Sequence, residues 1–366
     1  MTSPDRLSDI LTPALALDVN ALERNIRRMA EFFASRRCQL RPHFKAHKTP
    51  EIARRQLAAG SCTGLTCATV FEAEIAAPLC DDILIGNEVV GADSCRRVAA
   101  LAKRVRMTVA IDSTIGLDAI STAAHEAGTT IGALVDVNVG QNRCGVAPGA
   151  SAVALGTLVA AAPCVTLRGL MGYEGHAVGI ADRRERETAV RASMQHLLAT
   201  KRMFDEAGLA TVTISAGGTG SVDIGSAMDG ITEIQAGSYA LMDTDYARLD
   251  LPFEQALFVL GTVISRPTPE RCVADCGHKS CTKDHGLPSV KDLPGAFVLA
   301  LNDEHAIIAL PPGCALAIGD RIQLLPSHVD PTMNLHDVVY ALDGDDVVGA
   351  WPITARGYSG AGRSLR

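Results

Sequence analysis

The chain has 366 residues, 47% apolar and 20% charged, with 34 basic against 41 acidic side chains and a formal net charge of −7. That length exceeds one small core and implies one large domain or two ordinary ones. The acidic balance argues against a nucleic-acid partner, which would favour a basic face.

The opening MTSPDRLSDILTPALALDV lacks a basic stretch followed by a long apolar one, so no secretory leader is expected. The longest bland run, AVALGTLVAAAPCVTL, is interrupted by Gly, Thr and Pro and is too short for a membrane span. The eleven cysteines are scattered and odd in number, which reads as reduced thiols and not as a disulfide framework. A cytoplasmic protein with no membrane partner is the expectation.

ALALDV reads as a short strand. Asn20 then reads as a helix cap, with Glu23 three residues on as a capping box. Leu22, Ile26, Met29 and Phe33 make one apolar stripe at helical spacing. Eight further strands are predicted at 38–44, 62–69, 82–86, 105–112, 131–137, 165–171, 211–215 and 231–236. Helical segments such as DRRERETAVRASMQHLLATKRMFDEAG separate most of them, and the last gap, GGTGSVDIGSAMDG, reads as a loop. Strands alternating with helices indicate parallel β/α units. Eight such units favour a TIM-type (β/α)8 barrel over an open sheet.

After about residue 250 the pattern changes. ALFVLGTVISR, RCVADCG, AFVLAL, HAIIAL, DRIQLLPS, VVYALDG and DVVGAWPIT are short strands joined by Pro, Gly and Asp, which reads as a separate all-β domain. The C-terminal RGYSGAGRSLR reads as frayed and basic.

In a barrel the chemistry lies at the C-terminal ends of the strands. The first strand ends in His43-Phe44-Lys45-Ala46-His47-Lys48, the fifth leads to GQNRCG with Arg143, and the sixth to GYEGH with Tyr173, Glu174 and His176. Strand seven ends in SAGGTGS and strand eight in AGSY. A glycine-rich loop after strand seven with Gly-Ser after strand eight is where barrels often place a phosphate. Glycines let main-chain N–H groups converge, and Thr219, Ser221 or Ser238 can add hydroxyl donors. The plain alternative is a tight turn. A lysine at the barrel mouth facing a phosphate suits a Schiff base with pyridoxal phosphate. Lys45 directly follows the strand and is the choice for that bond, with His43, His47 and Lys48 tuning or packing the site.

In the all-β part, PSHVDPTMNLHD carries His328 and Asp330 two apart, so on an extended strand both side chains share a face. Imidazole plus carboxylate suits Mn²⁺, Mg²⁺ or Zn²⁺. CGHKSC (276–281) has too few local soft ligands for zinc, and its cysteines read as structural. Lys279 between them reads as approaching the cofactor or a dimer seam.

Together RPHFKAHK, NRCG, GYEGH, GGTGS, QAGSY, SHVDPT and WPITARG resemble the D-threonine aldolase and D-serine dehydratase group of the alanine-racemase-like (fold type III) pyridoxal-phosphate enzymes. The resemblance runs from about residue 12 to 358. It implies a (β/α)8 barrel at 21–250, a β domain at 251–366 that carries the metal pair, and an N-terminal strand within 1–20 that joins the β domain. It also implies a homodimer with both subunits near each active site. By position, Lys45 matches the imine lysine, Arg143 the arginine of NRCG, and Tyr173 a cofactor-contacting tyrosine. Gly218, Thr219, Gly220, Gly237, Ser238 and Tyr239 match phosphate-side loops, and His328 and Asp330 the metal pair. Dehydratase relatives typically carry Cys where this chain has Asp330, whereas the aldolases carry Asp. A hard oxygen ligand favours Mn²⁺ or Mg²⁺, with Zn²⁺ as the alternative.

The expected reaction is retro-aldol cleavage of a D-3-hydroxy amino acid, D-threonine-like, to glycine and an aldehyde. The metal binds the β-hydroxyl and lowers its pKa. The base at that hydroxyl is either a metal-bound hydroxide or His176, and His176 can equally be a supporting hydrogen-bonding residue. Alternatives are a D-3-hydroxyaspartate aldolase and a D-serine or D-3-hydroxyaspartate dehydratase that releases a 2-oxo acid and ammonia. A racemase has no need of the metal pair, and a non-catalytic cofactor-binding barrel has no need of a second domain.

Overall fold

The protein is described here by a computed structural model, which covers residues 4–357. In chain order, β1 (Ala14–Asp18) and α1 (Val19–Ala34) precede β2 (Gln39–Leu40), α2 (Pro50–Ala58), β3 (Leu65–Cys67) and α3 (Val70–Ala76). Then come β4 (Asp82–Glu88), α4 (Ala92–Leu101), β5 (Arg106–Ile111), α5 (Thr114–Ala127), β6 (Ile131–Asp136) and α6 (Ala150–Ala161). The alternation ends with β7 (Val165–Gly172), α7 (Arg183–Glu206), β8 (Thr213–Ala216), α8 (Val222–Gly225), β9 (Glu233–Ile234) and α9 (Thr244–Ala247). Eight further strands follow: β10 (Leu257–Thr268), β11 (Arg271–Ala274), β12 (Ser289–Val290), β13 (Phe297–Leu301), β14 (Ala306–Ala309), β15 (Arg321–Leu325), β16 (Val338–Asp343) and β17 (Asp346–Pro352). One short helix, α10 (Val329–Asn334), lies among them.

The chain divides into two compact units. One comprises Met29–Lys45 and Ala53–Gly237. Its eight strands are all parallel, in the order β2-β9-β8-β7-β6-β5-β4-β3. The ends of that path are joined by two further parallel bridges, Leu40 to Cys62 and His43 to Thr66, so the sheet curls into a TIM-type barrel. Leu84, Ala110, Leu134 and Met171 form a buried apolar layer contributed by β4 to β7. Short polar residues set the strand-to-helix turns. Ser113 accepts from Gly116 N–H to start α5, and Asp182 accepts from Arg184 and Glu185 N–H to start α7. Gly128, in the left-handed region, ends α5.

The other unit comprises Ala46–Ile52, Ser238–Gly357 and the N-terminal segment through Arg28. Its sheet has nine strands, with the path β13-β14-β11-β10-β1-β16-β17, and β15 links β10 to β12. β1 pairs antiparallel with β10 and parallel with β16. Ile10, Ala14, Ala16, Phe258, Leu260 and Leu342 pack into one of its core clusters.

Several local expectations are corrected. α1 begins at Val19, and its cap is Asp18, whose Oδ1 accepts from Asn20 and Ala21 N–H at 2.8 and 3.0 Å. The strand expected at 38–44 is cut to two residues, because Pro42 brings no N–H to the ladder. Phe44–Ala46 instead coils into a 3-10 helix. The gap before β9 holds a 3-10 turn at Thr219–Ser221 and the one-turn α8. β12 had no signal in the sequence, being two residues long. The tail from residue 358 onward lies outside the described residues. All eleven cysteines are free thiols. Among the described residues no helix is long and apolar enough to cross a membrane.

Gly169 supports the β7–β8 pairing. Its φ is +142°, and a Cβ there would stand 2.0 Å from Thr213 O. Gly169→Ala should therefore destabilise the protein by about 2–4 kcal/mol, from strain and overpacking together. Thermal unfolding of the variant against the parent checks this, and an unchanged midpoint would contradict the crowding.

Candidate active site

In the barrel unit, Lys45 sits in the 3-10 helix that follows β2 and its side chain is exposed. His43 anchors the approach: its N–H donates to Ala236 O at 3.0 Å and it bridges to Thr66. In the other unit, His47 is fully buried, its Nδ1 accepting from Thr49 N–H at 3.2 Å. Lys48 is 8% exposed with φ +52°, and its carbonyl accepts from Ala355 N–H at 3.1 Å. Of the two lysines, Lys45 is the accessible amine.

The loop after β8 is organised by Glu174, which follows β7 and is completely buried. Glu174 Oε1 accepts from Ser221 Oγ–H, and Oε2 accepts from Gly217 N–H at 3.3 Å. Burial pushes the Glu174 carboxyl above the usual range, partly opposed by those hydrogen bonds. Ser221 Oγ in turn accepts from Gly218 N–H at 3.1 Å. Ser221 therefore shapes the loop and its proton is committed to Glu174, a correction to its reading as a phosphate donor. Gly218 lies beside Tyr173, and a Cβ there would stand 3.5 Å from Tyr173 Cε2. The Arg143 guanidinium lies 5.5 Å from the centre of the Tyr173 ring. Gly218, Tyr173 and Arg143 thus come together, with Thr219 and Gly220 in the same buried turn. His176 is exposed, and its ring covers Gly140, where a Cβ would lie 2.8 Å from Cε1. Its Nε2 is 3.5 Å from Ser193 Oγ. Gly237 closes the barrel unit in sequence, and Ser238 and Tyr239 begin the next stretch of the other. Tyr239 is buried, its ring 5.7 Å from that of Phe253.

A carboxyl cluster sits at the ends of β4, β5 and β6; in the sequence Asp136 stands out only as the end of the strand that leads to Arg143, and Glu88 and Asp112 are given no role. Asp136 is 7% exposed and faces Glu88 and Asp112. Burial first, then the Glu88 charge and hydrogen bond and the Asp112 charge, push the Asp136 carboxyl up to about 8 against a smaller opposing pull from Arg143. Asp112 Oδ2 also accepts from Gly145 N–H at 3.3 Å, tying the NRCG loop to the cluster. Carboxylates twenty-odd residues apart have no local motif, so only their strand-end positions could have revealed them.

In the β unit the expected extended pair is a helix start. His328 is the N-cap of α10 and Asp330 lies in its first turn. Asp243 holds that turn by accepting from Val329 N–H at 3.1 Å, and burial raises its carboxyl to about 6. His328 Nδ1 pairs with Asp284 Oδ2 at 2.7 Å, and His328 Nε2 is 4.0 Å from Asp330 Oδ1. His285 stacks on His328, with ring centres 4.2 Å apart and planes 12° off parallel, and its Nδ1 is 3.1 Å from Asp245 Oδ2. Asp284, His285 and His328 offer ligand atoms within 4.8 Å of one another. Asp284 and His285 come from a loop some forty residues upstream and were not foreseen. In CGHKSC, Cys276 and Cys281 are buried, and burial pushes the Cys276 thiol up to about 12. His278 instead pairs with Asp303 at 2.7 Å and Lys279 with Glu304 at 2.8 Å. That lysine is therefore part of a local surface pair.

The alanine racemase N-terminal domain matches residues 17–245, and a putative serine dehydratase domain matches residues 256–342. A D-threonine aldolase of Arthrobacter sp. is 41% identical over 361 residues, covering 97% of this chain and 95% of that one. The chain belongs to the D-threonine aldolase and D-serine dehydratase group of the alanine-racemase-like pyridoxal-phosphate enzymes. As a member it is a lyase. The crystal structure of D-threonine aldolase from Filomicrobium marinum superposes with a TM-score of 0.95 at 40% identity, over 98% of this chain and 99% of that one. A 3-hydroxy-D-aspartate aldolase of Paracoccus denitrificans is 34% identical, covering 96% of this chain and 93% of that one.

The residues present suit the groups this family implies. The barrel unit offers an accessible amine at Lys45, an arginine against a tyrosine ring, and a glycine turn braced by a buried carboxylate, a donor set fit for pyridoxal phosphate. In the β unit, 4.0 Å is too long for a hydrogen bond between His328 Nε2 and Asp330 Oδ1. Two atoms each about 2.0–2.2 Å from one tetrahedral ion stand roughly 3.3–3.6 Å apart, so this pair has only to close by about half an ångström to share one. Asp284 takes the other ring nitrogen, as carboxylates behind metal-binding histidines do.

The Asp136 shift has a stability consequence. The folded carboxyl keeps its proton to about pH 8, whereas the unfolded one loses it near its ordinary value of about 3.9. Between those values the folded state binds more protons, so this group makes stability fall as pH rises. Asp136→Asn should flatten that decline over roughly pH 6–8, leaving the variant relatively more stable at the alkaline end. Thermal unfolding across that range checks it, and parallel slopes for both proteins would reject the assignment.

Proposed function

We propose that this chain cleaves D-3-hydroxy amino acids of the D-threonine kind to glycine and an aldehyde, using pyridoxal phosphate and one divalent metal ion. The observation that carries the reading is the His328–Asp330 pair, an imidazole and a hard oxygen ligand backed by Asp284. That donor set favours Mn²⁺ or Mg²⁺, with Zn²⁺ as the alternative.

When bound, the cofactor supplies an electron sink for Cα and the metal supplies a Lewis acid at the β-oxygen. Lys45 would hold the cofactor through its amine. Gly218, Thr219 and Gly220, and the following loop residues Gly237, Ser238 and Tyr239, would hold its phosphate, and Arg143 and Tyr173 would orient its ring. His328 and Asp330 would hold the metal, while Asp284 fixes the tautomer and direction of the His328 ring. His176 takes the β-hydroxyl proton, the Cβ–O bond becomes a carbonyl, and the Cα–Cβ bond breaks with its electron pair left on Cα. A proton returned to Cα completes glycine. A 3-hydroxyaspartate substrate would use the same steps with a carboxylate on Cβ. The same reading makes the enzyme a cytoplasmic homodimer, and a sedimenting mass of one chain would reject the dimer.

Lys45→Ala should abolish both the visible absorbance of the lysine-bound cofactor and the activity, whereas Lys48→Ala should keep that absorbance. Loss of the absorbance in Lys48→Ala alone would reassign the lysine.

Chelation should stop aldehyde release from D-threonine while the absorbance persists, and Mn²⁺ should restore it. Asp330→Ala should resist modest Mn²⁺, and Asp330→Cys should shift preference towards zinc because thiolate is soft. Aldehyde with glycine should be the products. A 2-oxo acid with ammonia would instead make the enzyme a dehydratase, and full aldehyde release by metal-free protein would sink the metal-assisted route.

A further inference from the structure

The N-terminal ends of the barrel strands lie opposite the chemical end, and that floor is ordinarily filled by stacked side chains. Here it holds a cavity of about 430 Å³ beneath Leu84 and Leu134 of the apolar layer. Its wall carries four arginines, Arg37, Arg41, Arg106 and Arg168, against two carboxylates, Asp82 and Glu233.

The pairing of these charges is uneven. Arg41 is 6% exposed and donates to Glu233 Oε2 at 2.9 Å and to Asp82 Oδ1 at 3.0 Å. Arg106 Nε lies 2.9 Å from Asp82 Oδ2. Both carboxylates thereby have a guanidinium partner, although the buried Glu233 Oε1 accepts no hydrogen bond. Arg168 Nη1 donates only to the Thr108 hydroxyl, at 3.2 Å. Among the described residues no carboxylate pairs with Arg168 or with the exposed Arg37.

The backbone is shaped to put Arg168 there. Ala133 pairs with Leu167 and Leu134 with Gly169, so Arg168 is the extra residue of a bulge in β7. Bulges re-aim a side chain at the rim of a barrel. Gly132 on β6 clears its path: a Cβ there would lie 2.6 Å from Arg168 Cδ and 2.8 Å from Thr108 Oγ1. Gly64 does the same for Arg41, where a Cβ would lie 2.8 Å from Nη1. A guanidinium half-buried without a counter-charge is unfavourable, and its fork of donors matches an oxyanion bidentately.

We propose that this cavity is a second small-molecule site, which binds a compact oxyanion on Arg168 with Arg37 at its mouth. The volume accommodates a small carboxylate or a phosphate, which share this chemistry. It lies within the barrel unit at the end away from Lys45, so the proposal stands apart from the cleavage reaction.

The test titrates the cofactor-loaded enzyme with malonate and, separately, inorganic phosphate at constant ionic strength, following heat of binding and thermal midpoint. Parent, Arg168→Gln and Arg37→Gln are compared. Saturable binding that weakens about tenfold or more in Arg168→Gln is expected, since charge-assisted bonds are lost. Malonate alone saturating assigns a carboxylate, phosphate alone a phosphate. Should Arg168→Gln fail to fold, a crystal of the parent soaked in either anion must show it on Arg168, and Arg37→Gln must weaken binding. No saturable binding of either anion, or equal affinity in parent and variants, overturns the proposal.

Discussion

All eight barrel strands run in one direction, and this constraint decides where polar chemistry can reside. Each strand contributes one end to each rim, so a residue's place along its strand selects its rim before any side-chain contact forms. Asp136 ends a strand, the turn holding Gly218 and Lys45 come after strands, and all share the C-terminal rim. Asp82, Arg106 and Glu233 begin strands and share the other. The apolar layer of Leu84, Ala110, Leu134 and Met171 lies between these two sets along the strands.

The two rims handle charge differently. At the C-terminal rim, carboxyls crowd together, and one of them keeps a proton to about pH 8 because ionising beside Glu88 in a buried setting costs too much. Glu174 is buried as well, yet its oxygens are engaged by Ser221 and Gly217, so it serves as the brace of a glycine turn. At the N-terminal rim arginines outnumber acids. A guanidinium cannot shed its charge, so the imbalance there calls for an anion and not for a shifted proton.

In the β unit a single carboxylate sets the geometry of the His328 imidazole. Asp284 takes Nδ1 of His328 and leaves Nε2 directed towards Asp330. Asp243 independently pins the start of α10 through Val329 N–H. Two acids from separate loops thus fix one ring and one helix turn.

The sequence by itself determined the alternation of strands and helices, the change to an all-β pattern near residue 250, and which motifs follow which strands. Those features are local: hydrophobic periodicity, capping residues and glycine turns act over a few residues. Lys45, Arg143, Tyr173 and the GGTG turn stood out in the sequence because each stands beside a strand end, and the structure brings Gly218, Tyr173 and Arg143 together. Three things belonged to tertiary structure alone. The capture of Val329 by Asp243 made a helix cap of His328 where spacing suggested a strand. Asp284 and His285 reached His328 from another loop, and the Arg168 side chain, at a bulge in β7, runs past Gly132 on a different strand to line the cavity. Each depends on pairing between residues distant in the chain, where hydrogen-bond satisfaction and close packing override the preference of any single segment.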